Sequence, residues 1–316
     1  MQLVPGSARI VADGATDPVR GRVRWVPAKS VWIGAMTGAA LLLGPVFVTP
    51  GAVLLFLATS AVTLCAGHSV GMHRRLIHES FDCPRWLERL LVYLGVLVGM
   101  AGPVGMMRQH DLRDWAQRQR ACHGYFGHRA GLWRDGWQQL HCELVLDRPP
   151  LFRPGPRIAG DAVHRFLERT WMAQQIPWAI LFFAIGGMPW LVWGIAVRVA
   201  VSVTGHWLVG HFAHRAGGQT WRVEGAAVQG YDVKIAGLIS MGESWHNNHH
   251  AFPGSARLGL EPGQVDLGWT LIRMLARAGL VWNVVLPRDL PHRPALRRIA
   301  ADGAPRAAAA DRLRRA

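Results

Sequence analysis

The chain has few charged residues and few cysteines, and each shortage narrows the kind of protein that it encodes. Charged residues make up 17% of its 316 residues, against 50% hydrophobic residues, which is unusual for a soluble fold. The four cysteines form no CxxC pair and no zinc-finger spacing, so they fit a reduced compartment without disulfides. Residues 1–29 lack the early apolar run of a secretory signal. We expect residues 1–30 to form a flexible basic arm.

The positive charge of the chain points to a membrane surface. The formal net charge is +15, which suits either nucleic acid or anionic lipid. No nucleic-acid-binding motif accompanies it, so we predict a lipid bilayer and no nucleic acid as partner. The 15 tryptophans agree with this prediction, since tryptophan is enriched at bilayer interfaces. Arginine, alanine and proline dominate residues 287–316, which we predict to be a disordered basic tail.

Two pairs of apolar runs predict two transmembrane helical hairpins. Each run approaches the roughly 20 residues that cross a hydrocarbon layer about 30 Å thick. Neither connecting turn carries a charge, whereas basic residues flank the outer ends of the first pair. The positive-inside rule therefore predicts that both termini are cytoplasmic. Arg198 lies within the last run and is expected to face protein, because a charge facing lipid is costly. The predicted spans are about 31–49, 51–69, 173–187 and 189–208.

A third apolar segment, at about 86–107, is predicted to be an interfacial helix. It opens with Glu88 and Arg89 and is broken by Gly102 and Pro103. An odd number of crossings would also separate the later histidines from the earlier ones. The fold class predicted for residues 31–286 is thus an all-α integral membrane protein, in which two transmembrane hairpins carry a cytoplasmic helical cap.

The histidines are concentrated where both predicted hairpins end. All but one of the 15 histidines lie after the second apolar run, Ala52 to Ala66, and before an amphipathic helix predicted within residues 262–279. His246, His249 and His250 have the spacing i, i+3 and i+4, which places three imidazoles on a common face of a helix. Neutral imidazole binds iron, zinc and copper. The pattern predicts a metal centre on the cytoplasmic side of the membrane.

The spacing of His73 and His78 leaves two arrangements open. Five residues correspond to about 140° around an ideal α-helix of 3.6 residues per turn. The two imidazoles therefore share one metal ion only if the helix ends or bends there. Otherwise they serve two neighbouring ions.

Two histidine motifs resemble those of the membrane-bound fatty acid desaturases, in particular the acyl-CoA desaturase branch. The segment 73–78 matches the first box of that family, HxxxxH, and the segment 246–250 matches its last box, HxxHH. The similarity extends over about residues 30–286. It implies two helical hairpins that hold a centre of two metal ions.

The middle box of the chain departs from the family pattern. Gln119 and Cys122 stand where the family has two ligands, and Gly210 stands where it has an asparagine. The ligands that the resemblance implies are His73, His78, His123, His214, His246, His249 and His250. His68, His110 and His211 lie beside the altered positions and are expected to compensate, and Cys122 is a further possible ligand. His206 is expected to orient another imidazole.

The resemblance implies an oxidoreductase that uses two iron ions and O2 to desaturate a fatty acyl chain carried by CoA or lipid. A separate ferredoxin, rubredoxin or cytochrome b5-like protein would supply the electrons. Arg118 and Arg120, together with Arg108 and Arg113, are candidates for binding phosphates of the substrate headgroup. Two alternatives stay open: a di-iron lipid hydroxylase, and a metal-binding membrane protein that the altered middle box leaves without oxygenase activity.

Overall fold

The computed structural model describes residues 9–299 of the chain, and this part is mostly helical. The α-helices are α1 (Pro27–Leu43), α2 (Pro50–Val62), α3 (Arg85–Val96), α4 (Pro103–Gln117), α5 (Leu132–His141), α6 (Pro156–Ala159), α7 (Ala162–Thr170), α8 (Gln175–Leu191), α9 (Arg198–Ala213), α10 (His246–Ala251) and α11 (Leu267–Arg277). Two π-helical segments extend this set, Thr63–Ile77 after α2 and Val192–Val197 between α8 and α9. The predicted helical character is confirmed.

Three small antiparallel sheets of two strands join the helices. They pair β1 (Ile10–Val11) with β4 (Leu151–Phe152), β2 (Gly21–Trp25) with β3 (Cys142–Leu146), and β5 (Trp221–Val223) with β6 (Leu296–Arg298). β1 and β2 lie in the described part of the predicted N-terminal arm, and β6 lies in the described part of the predicted tail. The predictions for residues 1–8 and 300–316 lie outside the described residues.

Two of the described helical stretches are long and apolar enough to cross a membrane. The first, Pro50–Ile77, joins α2 to the π-helical segment that follows it. The second, Gln175–Ala213, contains a kink at Gly187, whose φ of 60° and ψ of −153° suit glycine alone. This kink falls in the turn that the sequence predicts between the last two spans. α1 is a shorter apolar helix.

The predicted interfacial segment, about 86–107, contains parts of two helices. α3 ends at Val96 and α4 begins at Pro103, which occupies the first turn, where its missing N–H leaves no bond unmade. α3 packs against the π-helical segment Thr63–Ile77 in two apolar clusters. One cluster adds α11, and the other adds α4 and α7. The core thus encloses the segment that carries His73.

Arg198 faces protein, as expected from its position in an apolar run. Its side chain is 2% exposed and donates to the carbonyl oxygens of Gly194 and Leu97 and to Oε1 of Gln175. Gln175 in turn donates to the Leu97 carbonyl over 2.9 Å. The guanidinium therefore ties α8 and α9 to the end of α3.

Replacing Arg198 is expected to destabilise the fold. In Arg198→Met, three buried acceptors each lose one hydrogen bond; the Leu97 carbonyl keeps its bond from Gln175, whereas Gln175 Oε1 loses its donor, at a cost of about 1–3 kcal/mol for a group left unsatisfied. The purified variant in detergent should unfold at a lower temperature than the wild type. Arg222→Met, which removes an exposed arginine from β5, is the control. Equal melting temperatures for Arg198→Met and the control would contradict this role.

Candidate metal centre

One group of four histidines converges from three separate elements. His73 and His78 come from the π-helical segment and its end, His110 from α4 and His249 from α10, and a nitrogen of each lies within 4.8 Å of the others. His78 Nε2 lies 3.2 Å from His73 Nε2 and 3.3 Å from His110 Nε2. We call these four residues the first histidine group.

The π-helical backbone explains why His73 and His78 meet. A π-helix joins residues i and i+5 by hydrogen bonds, and the His78 N–H donates to the His73 carbonyl over 3.0 Å. Residues five apart therefore lie almost above one another, which an ideal α-helix does not allow. Of the two arrangements left open by the sequence, the side chains adopt the one in which both imidazoles face the same point.

A second group contains His214, His246 and His250. His246 Nε2 lies 3.1 Å from both His214 Nε2 and His250 Nε2. The short helix α10 contributes to both groups, with His246 and His250 in the second group and His249 in the first. We call these three residues the second histidine group.

The distances between the nitrogens suit shared metal ions. Two imidazole nitrogens at about 2.1 Å from one ion, at angles of about 90–110°, lie roughly 3.0–3.4 Å apart. The Nε2 pairs of both groups lie 3.1 to 3.3 Å apart. Both groups are therefore able to hold a metal.

Five of the seven imidazoles are held in the neutral form that metal ligation requires. Burial, reinforced by neighbouring imidazoles, lowers the pKa of His78, His214, His246 and His249 well below the usual value of 6.5. Burial also lowers the pKa of His250 to about 4, although nearby Asp114 opposes this shift. At neutral pH, these nitrogens offer lone pairs.

Glu243 orients the first histidine group. Its Oε2 lies 2.6 Å from His73 Nδ1, while its Oε1 accepts hydrogen bonds from Ser69 and Arg74. Burial raises the pKa of Glu243, but His73 and Arg74 outweigh burial and hold this pKa well below its usual value. An ionised carboxylate behind a ligating imidazole fixes the orientation of the ring. In the second histidine group, His214 Nδ1 donates to the Gly210 carbonyl over 2.7 Å.

Asp135 holds a third set of side chains together. Its Oδ2 lies 2.9 Å from His128 Nδ1, 2.8 Å from His211 Nδ1 and 2.8 Å from Trp207 Nε1. Indole nitrogen is only a donor, so this oxygen acts as a hydrogen-bond acceptor. The sequence patterns assigned no site role to Asp135, Glu243 or His128. The one sequence signal for Asp135 was its position between His128 and His141.

Several residues predicted for the site lie outside the two histidine groups. His123 Nδ1 accepts from the Tyr125 N–H, and Gln119 Nε2 donates to the Trp115 carbonyl. Cys122 packs in an apolar cluster, where burial raises the pKa of its thiol. Arg118 pairs with Asp114 over 2.8 Å, and Arg120 is exposed.

Two further predicted residues, His68 and His206, line a cavity of about 200 Å³ beside the histidine groups. Their rings lie edge to face with centroids 4.9 Å apart. Trp32, Met100 and Trp171 form part of the apolar lining, and the polar lining reaches both histidine groups. Residues 9–299 therefore place a partly open, largely apolar cavity against the candidate metal centre.

Comparison with known proteins identifies the family. A sequence model described as fatty acid desaturase matches residues 48–262. The chain belongs to the fatty acid desaturase family. This membership confirms the resemblance carried by the two histidine boxes. The fatty acid desaturases are oxidoreductases, so the chain is an enzyme that acts on fatty acids. Its family, together with its two long apolar helical stretches, indicates a membrane protein.

Similar desaturases act on acyl chains with different carriers. A probable chloroplast lipid desaturase of Arabidopsis thaliana is 36% identical over 227 residues, which cover 70% of this chain and 60% of that relative. The sn-1 stearoyl-lipid 9-desaturase of Anabaena variabilis is 32% identical over 84% of this chain and 95% of the relative. An acyl-CoA 5-desaturase of Anemone leveillei is 31% identical over 76% of this chain and 73% of the relative.

The depressed imidazole pKa values predict a pH-dependent stability of the metal-free protein. Below pH 6.5 the unfolded chain takes up protons at its histidines, whereas His250 in the native state, with a pKa of about 4, does not. The free energy of unfolding therefore keeps its full value above about pH 6.5 and falls between pH 6.5 and 4. The protonation of His250 in the unfolded chain accounts for about 1–3 kcal/mol of this fall.

Thermal unfolding of chelator-treated protein between pH 7.5 and 4.5 measures this effect. His250→Gln should show a shallower fall in melting temperature than the wild type. His292→Gln, which alters an exposed histidine, should keep the wild-type slope. An unchanged slope in His250→Gln would refute the assignment.

Proposed function

We propose that this chain is an O2-dependent fatty acyl desaturase that uses two iron ions to introduce a double bond into a saturated acyl chain. The observation that carries the proposal is the pair of convergent histidine groups joined through α10. Their position beside an apolar cavity, in a member of the fatty acid desaturase family, supports the same function.

The substrate chemistry requires a metal oxidant. Removing hydrogen from an unactivated methylene lies beyond side-chain acids and bases. Two bound irons would supply the oxidation, with O2 taking two electrons from the acyl chain and two from the donor to form water. An all-imidazole ligand set suits iron and adds no charge to the site.

The residues of the chain have distinct tasks in this proposal. The first and second histidine groups hold one ion each, and Glu243 fixes the His73 ring. The cavity beside Trp32 and Trp171 aligns the acyl chain against the centre and excludes water. We further propose that His206 and His68, which lie edge to face in this cavity, orient neighbouring imidazoles.

The carrier and the electron donor are further parts of the proposal. The named relatives include acyl-lipid and acyl-CoA desaturases, so CoA and lipid are the two candidate carriers. The exposed Arg120 is the favoured contact for a headgroup phosphate, because Arg118 is paired with Asp114. A separate ferredoxin, rubredoxin or cytochrome b5-like protein would deliver electrons to a site on the cytoplasmic side, where both termini also lie.

Fatty acid profiles of a desaturase-deficient host test this function. Expression of the wild type with a working electron donor should produce new double bonds, detected by gas chromatography–mass spectrometry. His249→Ala, which removes a ligand of the first histidine group, should abolish them, and the exposed control His292→Ala should retain them.

The other outcomes of this experiment contradict the proposal. Hydroxylated acyl chains in place of double bonds would indicate a hydroxylase. An unchanged profile from protein that contains iron and receives electrons would exclude both activities. Separate analysis of the phospholipid and acyl-CoA fractions at early times identifies the carrier.

A further inference from the structure

The second histidine group has one fewer imidazole than the first. Within residues 9–299, four histidines converge in the first group and three in the second. The middle box, in which the sequence has Gln119 and Cys122 in place of histidines, is the region that departs from the family pattern. The side chains of these two residues are engaged elsewhere, in a hydrogen bond to Trp115 and in an apolar cluster.

His128 lies beside the second histidine group. Its ring is stacked on the His214 ring, with centroids 5.2 Å apart and an angle of 14° between the planes. Ring centroids within the second histidine group are 4.6 to 5.3 Å apart. The His128 ring therefore lies as close to His214 as the rings of the group lie to one another.

The free nitrogen of His128 is suited to ligation. The residue is 1% exposed and lines the same cavity as His214 and His246. Its Nδ1 lies 2.9 Å from Asp135 Oδ2, but its buried Nε2 has no hydrogen-bond partner among the described residues. A buried polar atom without a partner is costly unless an unseen group satisfies it. With the proton held on Nδ1 by Asp135, Nε2 carries a lone pair.

Gly210 leaves the space that His128 occupies. A Cβ atom at residue 210 would lie 3.5 Å from His128 Nε2 and 3.6 Å from its Cε1. A single methyl group is thus in ordinary contact with the ring, whereas an asparagine amide directed toward the ring would overlap it. The replacement of the family's asparagine by Gly210 and the position of His128 are therefore linked by sterics.

We propose that His128 is a ligand of the metal held by His214, His246 and His250, and that Asp135 orients it. This inference rests on the proposed metal centre but assigns a ligand from outside the family's histidine boxes. Trp207 and His211 share the same carboxylate oxygen and hold Asp135 in place.

Metal binding by the purified full-length protein tests this assignment. Fe(II) and, as a spectroscopic probe, Co(II) are titrated into chelator-treated wild type, His128→Gln and His164→Gln. His164 is the matched control, because it is also 1% exposed but lies outside both histidine groups. The wild type and the control should bind two ions per chain. His128→Gln should bind the second ion at least about 10-fold more weakly and change the Co(II) visible spectrum.

The outcomes separate this inference from the proposed function. A wild type that binds no metal would refute the metal centre as a whole. Two ions with unchanged affinities and spectrum in His128→Gln would refute the role of His128 alone. Three ions in the wild type, reduced to two in Asp135→Asn, would instead assign His128, Asp135 and His211 to a separate metal site.

The contact between Gly210 and His128 supplies an independent test, which compares two single variants with their double variant. Gly210→Asn should displace the His128 ring and weaken the second ion, as His128→Ala does. In the double variant Gly210→Asn with His128→Ala, the space is free and the amide oxygen lies near the metal. The double variant should therefore bind the second ion more tightly than either single variant. Additive losses in this double-mutant cycle would refute the steric link.

Discussion

The structure depends on the convergence of seven imidazoles in one place, four of them buried and three partly buried. The Nε2 atoms of six of them approach one another in pairs to 3.1–3.3 Å, which brings polar nitrogens together inside the fold. Buried polar groups are costly unless they are paired. Cations between the rings would satisfy all of these nitrogens, and their binding free energy would add to the stability of the fold.

A shell of buried ion pairs surrounds the histidine groups. Arg74, which is 1% exposed, donates to Asp266 over 2.8 Å and to Glu243 over 3.4 Å, and thereby joins the π-helical segment to the region before α11. On the opposite side, Arg9 donates to Asp111, next to the ligand candidate His110. Such pairs are strongly destabilising when one partner is lost, which makes them effective at fixing the ligand-bearing elements relative to one another.

Short-range patterns accounted for much of the fold. Apolar runs marked the long helices, the Gly-Gly-Met-Pro turn marked the kink at Gly187, and the cost of a charge facing lipid predicted the burial of Arg198. The π-helical conformation of residues 63–77 was not predictable, because α-helical geometry is the default for a helical sequence. Packing of this segment against α3, α4 and α11 holds the wider turn in place.

By itself, the sequence determined the family and the identity of the central histidines, since the HxxxxH and HxxHH boxes are local patterns. Only the tertiary structure decided how the departures from the family pattern are accommodated. His110 joins His73 and His78, while His128, which Asp135 contacts, stacks on His214 from another part of the chain. These contacts join residues far apart in sequence. They depend on the space beside Gly210 and on the carboxylate of Asp135, and no local sequence motif marks either feature.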